Sequence, residues 1–566
     1  MTNPALARHI AELADLMALD GTGPQRVRHY RRAATTIGRF EHPLADLISA
    51  GVDLTRVPGI GKGLAGVLRD LVLRGSSPRL EGYRARTPAG LLDVMRLPGV
   101  GATRARVLRR VGIDSLPALE DAVASRRIYG LDGFGPGVVR RVQDGLAARA
   151  ETEGKALLPE ADRVAARLVA HLRGAGIEPC LAGDIRRRTE IVAAVDVVCG
   201  VAPGALWDAL DGIGDARVTG SRGDNPVHAS LEGVAARLVA APSDRVEAVA
   251  HHLTGPQSFI EALAARARAR GLQLTPTGIA GGADSAAGGE AAIYERLGLP
   301  WIPPELRDVA NAIGGAESGI PRLVTPDDIR GDLHMHTTWS DGAATLRRMV
   351  EAAVERGYAY VAITDHSPST RVVAGLDAAR LRAQAAEIAR VQEELPAIRI
   401  LRGCEVDILP DGSLDLDDET LAELDLVVAS VHSSFDMSRA RMTRRIISAM
   451  ENPHVHVLGH PTGRQLGRRL PCAVDLEEIL RAAAALDVAV EVNASPRRLD
   501  LDHRGLRLCG DLGVQVVVGS DAHSVAQLDN IRYGIDQARR GWLQANGIVN
   551  TRTRGQLPEW LGRRRA

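Results

Sequence analysis

The sequence of 566 residues lacks the features that mark secreted and membrane proteins. Its five cysteines include no pair separated by two residues, which argues against a disulfide framework and a zinc ribbon. No apolar run is long enough to cross a bilayer. The opening MTNPALARHIAELADLM is typical of an amphipathic helix rather than a signal peptide. We therefore expect a monomeric cytoplasmic protein without membrane contacts.

Lysine is almost absent, since only Lys62 and Lys155 among the 70 cations are lysines. The net charge is zero, but it is unevenly distributed. Residues 1–150 contain 23 Lys and Arg against 14 Asp and Glu, whereas residues 151–320 contain 16 against 22. A basic first quarter favours contact with a phosphate backbone, although charge alone does not distinguish a nucleic-acid binder from an ordinary surface.

Three copies of a glycine motif lie in this basic segment. They read RVPGIGKGLAGVLRDL at 56–71, RLPGVGATRARVLRRVG at 96–112 and GLDGFGPGVVRRVQDGL at 130–146. Each places two glycines before an amphipathic helix, so that backbone N–H groups of a tight turn can bind a phosphate without reading sequence. The copies resemble helix-hairpin-helix repeats. We predict DNA-backbone contacts at Gly59, Gly61, Gly99, Gly101, Gly133 and Gly135.

From Gly331 onward, strand and helix patterns alternate as in an α/β barrel. His334 and His336 are two residues apart, so on a strand both rings face one side. Further apolar runs also end in histidine or a carboxylate, and a barrel gathers such strand ends on one face. Nine side chains would suit about three divalent ions at roughly three ligands each, and closely spaced ions generate hydroxide and bind phosphate oxygens. The candidate ligands are His334, His336, Asp341, His366, Glu405, His432, His460, Asp521 and His523.

These nine residues resemble, in order and context, the metal ligands of PHP (polymerase and histidinol phosphatase) domains. The resemblance implies a distorted (β/α)7 barrel that holds a trinuclear zinc or manganese centre, with a metal-bound hydroxide as the nucleophile. It also implies that Arg464 and Arg497 could hold phosphates, although ordinary surface ion pairs would explain the same residues.

Nearly the whole chain resembles the bacterial family X DNA polymerases with a C-terminal PHP domain, through the hairpin repeats, YERLGLPWIPPELRD and the run into GDLHMHT. The implied fold is a multidomain α plus α/β chain with an N-terminal all-α hairpin region, a central α+β nucleotidyltransferase-like palm and the barrel. We expect an N-terminal helical domain at 1–75, a fingers-like hairpin region at 76–150, a palm and thumb at 151–320 and the PHP domain at 328–566. The arginine-rich last dozen residues are predicted to be a loose tail.

The polymerase centre departs from the family pattern in the segment GDIRRRTEIVAAVDVV. Gly183 is kept and Arg187 belongs to the expected arginine pair, but Asp184 replaces serine. Of three metal carboxylates only Asp196 remains, because alanine stands at the other two positions. Alanine cannot hold Mg²⁺, and Asp184 would repel a triphosphate. The replaced positions, with those of the nucleotide pocket, are Ala194, Ala235, His252, Leu253, Pro256, Ile260 and Ala264.

We therefore predict a DNA-repair phosphoesterase that acts on gapped, nicked or damaged duplex in the nucleoid as a 3′→5′ exonuclease, 3′-phosphatase or apurinic-site nuclease, with an inactive polymerase centre. One alternative is an active gap-filling polymerase with an accessory nuclease, in which Asp184 or Glu190 supplies a missing carboxylate. A second is a small-molecule phosphatase of the histidinol-phosphate kind, against which the basic segment argues. A third is a DNA-binding protein without catalysis, which the complete ligand set disfavours.

Overall fold

The structure, a computed structural model, describes residues 1–40, 42–57, 59–281, 289–308, 312–370 and 374–565. The chain divides into two compact units, Met1–Glu151 with Gly467–Leu470, and Thr152–Leu466 with Pro471–Ala566. No helix in these described ranges is both long and apolar enough to cross a membrane. The finer division into four domains stays a prediction.

The first unit is all-α, as predicted. Apolar side chains between Leu6 and Leu80 form one buried cluster, and those between Leu91 and Val142 form another, which Leu19 joins. Its helices are α1 (Asn3–Leu19), α2 (Pro24–Arg39), α3 (Leu44–Ser49), α4 (Lys62–Arg74), α5 (Pro78–Arg86), α6 (Leu91–Arg96), α7 (Gly101–Arg110), α8 (Leu116–Ala124) and α9 (Pro136–Thr152).

The three glycine motifs form turns that open α4, α7 and α9. The first glycine of each pair has positive φ, +85° at Gly59, +86° at Gly99 and +81° at Gly133, where a side chain would be strained. Arg104 ties the second and third turns together, because its Nε donates to Gly133 O at 2.7 Å and its Nη1 to Gly99 O at 2.9 Å. The predicted turn-and-helix structure is confirmed, and DNA contact by these glycines stays a prediction.

The second unit begins with a mixed α/β region that surrounds a five-stranded sheet in the order β2-β4-β7-β6-β5. Strand β4 pairs antiparallel with β2 and parallel with β7. The elements are β1 (Ala156–Leu157), α10 (Leu158–Gly174), β2 (Pro179–Ala182), α11 (Gly183–Arg187), β3 (Ile191–Val192), β4 (Val195–Cys199), α12 (Pro203–Asp211), β5 (Arg217–Thr219), β6 (Val227–Leu231), β7 (Val234–Ala240), α13 (Val246–Thr254), α14 (Gln257–Ala269), β8 (Gln273–Thr275), β9 (Gly278–Ala280), α15 (Glu290–Arg296) and α16 (Ala312–Glu317). We call residues 151–240 the palm.

Seven parallel strands follow in the sequential order β10 to β16 and form a nearly closed barrel. Six of these strands are buried along their length, and the strand Arg399–Asp407 is buried except at Arg399 and Arg402, as expected when helices cover a parallel sheet. The elements are β10 (Gly331–Asp332), α17 (Leu346–Glu355), β11 (Tyr360–Ile363), α18 (Ala378–Glu394), β12 (Arg399–Asp407), α19 (Asp418–Ala422), β13 (Leu426–Ser430), α20 (Arg439–Met450), β14 (Val457–Leu458), α21 (Leu476–Ala485), β15 (Ala489–Asn493), α22 (His503–Leu512), β16 (Val516–Gly519), α23 (Ile531–Arg540) and α24 (Leu557–Gly562).

Side-chain hydrogen bonds close the gap between the first and last barrel strands. The amide of Asn550 donates to the carbonyls of Gly331 and Val518, both at 2.9 Å, and accepts from the N–H of Val518 at 2.7 Å. Beyond the strands, Met335 and Ala522 form a parallel bridge. The predicted fold class, with its barrel, is therefore confirmed.

The prediction of a loose C-terminal tail is wrong. Helix α24 buries Trp560, and the guanidinium of Arg564 donates to four backbone carbonyls, those of Met450, Asn452, Val455 and Leu486, at 2.5 to 3.0 Å. Carbonyls at helix ends and in loops accept such hydrogen bonds readily, so an arginine-rich terminus can be bound rather than free.

Candidate metal centre

The carboxyl ends of the barrel strands bring all nine predicted ligands to one face, as the fold requires. Glu405 lies within β12, and Asp341 lies in the loop after β10. Asp521 and His460 have positive φ values of 51° and 24°, so the chain turns sharply where these side chains enter the site. The remaining ligands follow β10, β11, β13 and β16 directly: His334, His336, His366, His432 and His523.

Glu405 lies at the centre of this cluster and is buried. Its Oε2 is 3.0 Å from Nδ1 of His366, and its Oε1 is 2.9 Å from Nε2 of His460 and 3.3 Å from Nε2 of His432. One carboxylate thus faces three imidazoles from three different strand ends, an arrangement suited to bridging cations.

Two aspartates lie close to histidine rings on the other side of the cluster. Asp521 Oδ1 is 3.2 Å from Nε2 of His336, and Asp341 Oδ2 is 3.2 Å from Nε2 of His523. Asp341 Oδ1 is 3.7 Å from Nε2 of His366, so this ring faces a carboxylate on each side. Because the carboxylates alternate with imidazoles, the negative charges of the carboxylates are distributed so that several closely spaced cations could be held.

Eight of the nine residues fall into three overlapping groups whose candidate ligand atoms lie within 4.8 Å of one another. Both ring nitrogens of His336, Nε2 of His334 and Oε2 of Glu405 are buried without a hydrogen bond among the described residues. Polar atoms left in this state are costly, and a bound cation would satisfy them. The residues present therefore fit divalent metal ions. The groups are His336, Asp341, His366 and His523; His334, His336 and Asp521; and His366, Glu405 and His432.

Burial and neighbouring charges shift the pKa values of His336 and His432 in opposite directions. Burial, together with the positive charges of His523 and His366, lowers the pKa of His336 to about 4. Burial also disfavours the charged form of His432, but Glu405 and Asp407 outweigh it and raise the pKa to about 9. A metal ligand must be unprotonated, so a cation competes with the proton that these carboxylates hold on His432.

Two carboxylates that the sequence analysis does not predict contact the candidate ligands. Glu491 of β15 lies 2.6 Å from Nδ1 of His334 and accepts the N–H of His460 at 2.7 Å. Asp407 holds Nδ1 of His432. Such partners fix the ring orientation of a metal-binding histidine. Asp407 follows Glu405 by two residues on one strand, a spacing that could have indicated it, whereas the signal for Glu491 is only a carboxylate inside the apolar run VAVEVNA.

The structure puts a different arginine nearest the ligands from those predicted. Arg498 Nε is 3.5 Å from Oδ2 of Asp521. Its neighbour Arg497 is exposed, and Arg464 is buried in an ion pair with Glu190 at 2.7 Å. Phosphate binding by Arg464 and Arg497 stays a prediction. The sequence contains no signal that separates Arg498 from Arg497.

The sheet of the palm carries the residues that the sequence predicts at the polymerase centre. Asp196 on β4 is buried and pairs in register with Arg237 on β7, whose Nε donates to its Oδ1 at 2.7 Å. Continuing that register by one pair from Val195 and Ala236 sets Ala194 opposite Ala235. Burial and the nearby Asp184 raise the pKa of Asp196, while Arg237 opposes them.

Three further residues at the predicted polymerase centre, Gly183, Asp184 and Arg187, have close contacts within the palm or with its neighbours. Gly183 has φ +67°, and a Cβ there would lie 2.0 Å from Oδ2 of Asp196, so only glycine fits. Asp184 accepts from Arg187 at 2.5 Å and from the N–H of Ala193 at 2.9 Å. Arg187 also donates to Thr254 O at 2.6 Å and lies 3.0 Å from Asp308.

Family models match four segments of the chain. A PHP domain matches residues 332–494 and a DNA polymerase beta thumb matches residues 249–308. A helix-hairpin-helix domain matches residues 1–77, and a SAM-like helix-hairpin-helix tandem matches residues 91–148. Hairpin and thumb domains of these kinds imply DNA binding, and a PHP domain implies a metal-dependent hydrolase.

The chain is also similar along its whole length to one relative. The DNA polymerase/3′-5′ exonuclease PolX of Bacillus subtilis is 33% identical over 570 residues, which cover 99% of each chain. This chain belongs to the bacterial family X DNA polymerases with a C-terminal PHP domain. Two shorter relatives match 241 residues, or 41%, of this family X chain. A probable phosphatase of Syntrophotalea carbinolica is 30% identical over 95% of its own length. A probable phosphatase of Thermoanaerobacter sp. (strain X514) is 29% identical over 93% of its length.

Proposed function

We propose that this family X chain is a DNA-repair nuclease whose barrel hydrolyses phosphoester bonds at or near a strand end, chiefly as a 3′→5′ exonuclease. The observation that carries the proposal is the cluster of nine histidines and carboxylates on one barrel face, with three overlapping groups of ligand atoms. Its relative of matching length bears the name of a 3′-5′ exonuclease, which supports DNA as the substrate.

The side chains of the cluster would hold about three divalent ions, zinc or manganese, because mixed imidazole and carboxylate ligands suit both metals. Such ions, when bound, polarise phosphate oxygens and lower the pKa of water. Glu405, whose two oxygens face different imidazoles, would be one of the residues that hold them. Glu491 holds the ring of His334 in place, and Arg498 offers positive charge beside Asp521.

The hairpin turns would bind the DNA backbone. The helix that follows Gly61 begins at Lys62, in the segment with a net excess of basic residues. Apart from the adjacent residues in the chain, no atom of the described residues lies within 4 Å of a Cβ built at Gly59 or Gly61, so a phosphate can approach the backbone of this turn. Gapped, nicked or damaged duplex is the substrate that we propose, because backbone binding without sequence reading suits repair.

We further propose that the palm does not polymerise. Two-metal nucleotidyl transfer needs carboxylates that bridge both ions. The remaining one, Asp196, is paired with Arg237, and of the two substitutes that could replace the missing groups, Asp184 is engaged by Arg187. Glu190, the other, is paired with Arg464. The name of the Bacillus relative includes polymerase activity, so active gap filling remains the second candidate function.

The test is a single set of incubations with purified full-length protein. End-labelled gapped, blunt, abasic and 3′-phosphorylated duplexes are mixed with Mn²⁺ or Zn²⁺, with and without nucleotides, and histidinol phosphate serves as the small substrate. We expect mononucleotides released from the 3′ end. Release of phosphate from histidinol phosphate alone would favour the small-molecule phosphatase, and nucleotide-dependent lengthening would favour the polymerase.

A further inference from the structure

The loop after β15 connects the barrel face to the palm. Arg498 lies in this loop with its side chain 16% exposed and its Nε 3.5 Å from Asp521 Oδ2. Its Nη1 is buried and has no hydrogen-bond partner among the described residues. A buried cationic nitrogen without a partner, beside the candidate metal ligands, is available to an anionic group of a bound substrate.

The backbone of this loop is held by one buried guanidinium. Arg464, in the loop after β14, donates from Nε to the carbonyl of Arg498 at 2.9 Å and from Nη2 to the carbonyl of Leu499. The same Nη2 donates to Oε1 of Glu190 at 2.7 Å. Glu190 belongs to the palm, between α11 and β3, so two successive hydrogen bonds through the Arg464 guanidinium link a palm carboxylate to the loop that carries Arg498.

Apolar contacts support the same link. The side chains of Leu466 and Leu499 belong to the buried cluster of the palm, together with Ile185 and Val192. The N–H of Leu466 also donates to the carbonyl of Arg497 at 2.7 Å. Both barrel loops are therefore anchored in the palm on either side of Arg498.

We propose that Glu190 is a positioning residue of the hydrolytic centre, which acts through Arg464 to hold Arg498 where it contacts the substrate phosphate. The palm would then be retained as the support of the nuclease loop rather than as a polymerase. This inference rests on the proposed hydrolysis of DNA by the barrel. Removing one member of a desolvated ion pair leaves the other charge unpaired, so loss of Glu190 should release the Arg464 side chain and with it the loop.

The test measures the hydrolysis of 3′-end-labelled duplex DNA with Mn²⁺ by full-length protein. Glu190→Ala should lower kcat roughly 10- to 100-fold, because misplacing a group by about 1 Å costs that much. Arg498→Ala should cost about 100- to 1,000-fold, as loss of a charge-stabilising donor does. Glu190→Gln keeps the side-chain shape and should give a smaller loss, so it serves if the alanine variant fails to fold.

Two matched controls distinguish the positioning of Arg498 from a general loosening of the contact between palm and barrel. Glu178→Gln removes a palm carboxylate that also pairs with one arginine, Arg173, at 2.7 Å but is exposed. Asp536→Asn breaks a second contact between palm and barrel, at 2.8 Å from Arg188. We expect both controls to hydrolyse DNA at the wild-type rate, while Mn²⁺ stoichiometry, followed by electron paramagnetic resonance, is unchanged in all variants.

The deciding measurement is the double variant. Glu190→Ala in an Arg498→Ala background should cause no further loss, since both changes remove the same contact. A further loss equal to that of Glu190→Ala alone, or a Glu190→Ala rate equal to that of Glu178→Gln, would overturn the inference while leaving the nuclease intact. Wild-type protein that fails to hydrolyse DNA would instead overturn the proposed function, and the inference with it.

Discussion

Arg237 donates a hydrogen bond to Asp196 at 2.7 Å from the neighbouring parallel strand, so this buried palm carboxylate already has a cation beside it. A divalent ion would have to displace this guanidinium and would then find methyl groups at Ala194 and Ala235. These neighbours support the proposal that the palm does not gather two metals at a primer end.

The first prediction concerns primer extension. Hydrolysis could hide extension, so the measurement uses the double variant His334→Ala and His336→Ala with a one-nucleotide gap, Mg²⁺ or Mn²⁺ and nucleotides. We expect no incorporation, because one carboxylate cannot bridge two ions. Asp196→Ala should leave wild-type hydrolysis unchanged. Template-dependent incorporation that Asp196→Ala removes would show that the palm still polymerises.

The second prediction concerns the candidate metal ligands. His334→Ala with His336→Ala should abolish Mn²⁺-dependent hydrolysis, because two of the three ligand groups lose one or more members. The circular dichroism spectrum should stay that of the wild type, since neither histidine belongs to the large apolar clusters of the barrel. His228→Ala, at an exposed histidine of β6, is the control and should be fully active. Equal rates for the double variant and the wild type would refute the site.

The third prediction concerns Glu491, which contacts His334 and the backbone of His460. Glu491→Gln should lower metal affinity roughly 10- to 100-fold, as loss of a residue that orients a metal ligand does. The measurement is the Mn²⁺ concentration that gives half-maximal hydrolysis, with isothermal titration for the affinity itself. Glu477→Gln, at an exposed carboxylate of α21, should leave it unchanged. An unaltered Mn²⁺ requirement in Glu491→Gln would contradict the role.

The fourth prediction concerns the first hairpin turn. Gly61 precedes α4 and has open space around it, so Gly61→Glu adds a negative charge at the helix N-terminus without strain. Duplex affinity of the full chain should fall about tenfold, and the decrease in affinity between about 50 and about 200 mM salt should become shallower, because phosphate contacts are lost. Fluorescence anisotropy measures both quantities.

Gly66→Glu is the matched control for this change. It makes the same charge change as Gly61→Glu at a position inside α4, which also has open space around it but lies away from the turn. We expect its affinity to stay near that of the wild type. If both variants lowered duplex affinity equally, the cause would be a general charge effect rather than binding at the turn. If neither lowered it, the first hairpin would not belong to the DNA-binding surface.

Local spacing in the sequence was enough to predict the hairpin turns and the candidate ligand cluster. A two-residue interval puts His334 and His336 on one side of an extended chain, and parallel strands bring their carboxyl ends together, so the ligand cluster could be predicted before any coordinates. Paired glycines predict the hairpin turns, because a left-handed turn such as that at Gly59 favours glycine. The alanines at two predicted carboxylate positions, Ala194 and Ala235, are visible in the sequence itself.

Tertiary structure alone decided which polar groups support the site. Glu190 and Arg464 are 274 residues apart, and no periodicity or motif relates them. Their ion pair, and the place of Arg498 rather than Arg497 beside Asp521, depend on how two barrel loops pack against the palm. Long-range contacts of this kind are set by packing and burial, which the order of residues along a strand or a helix does not encode.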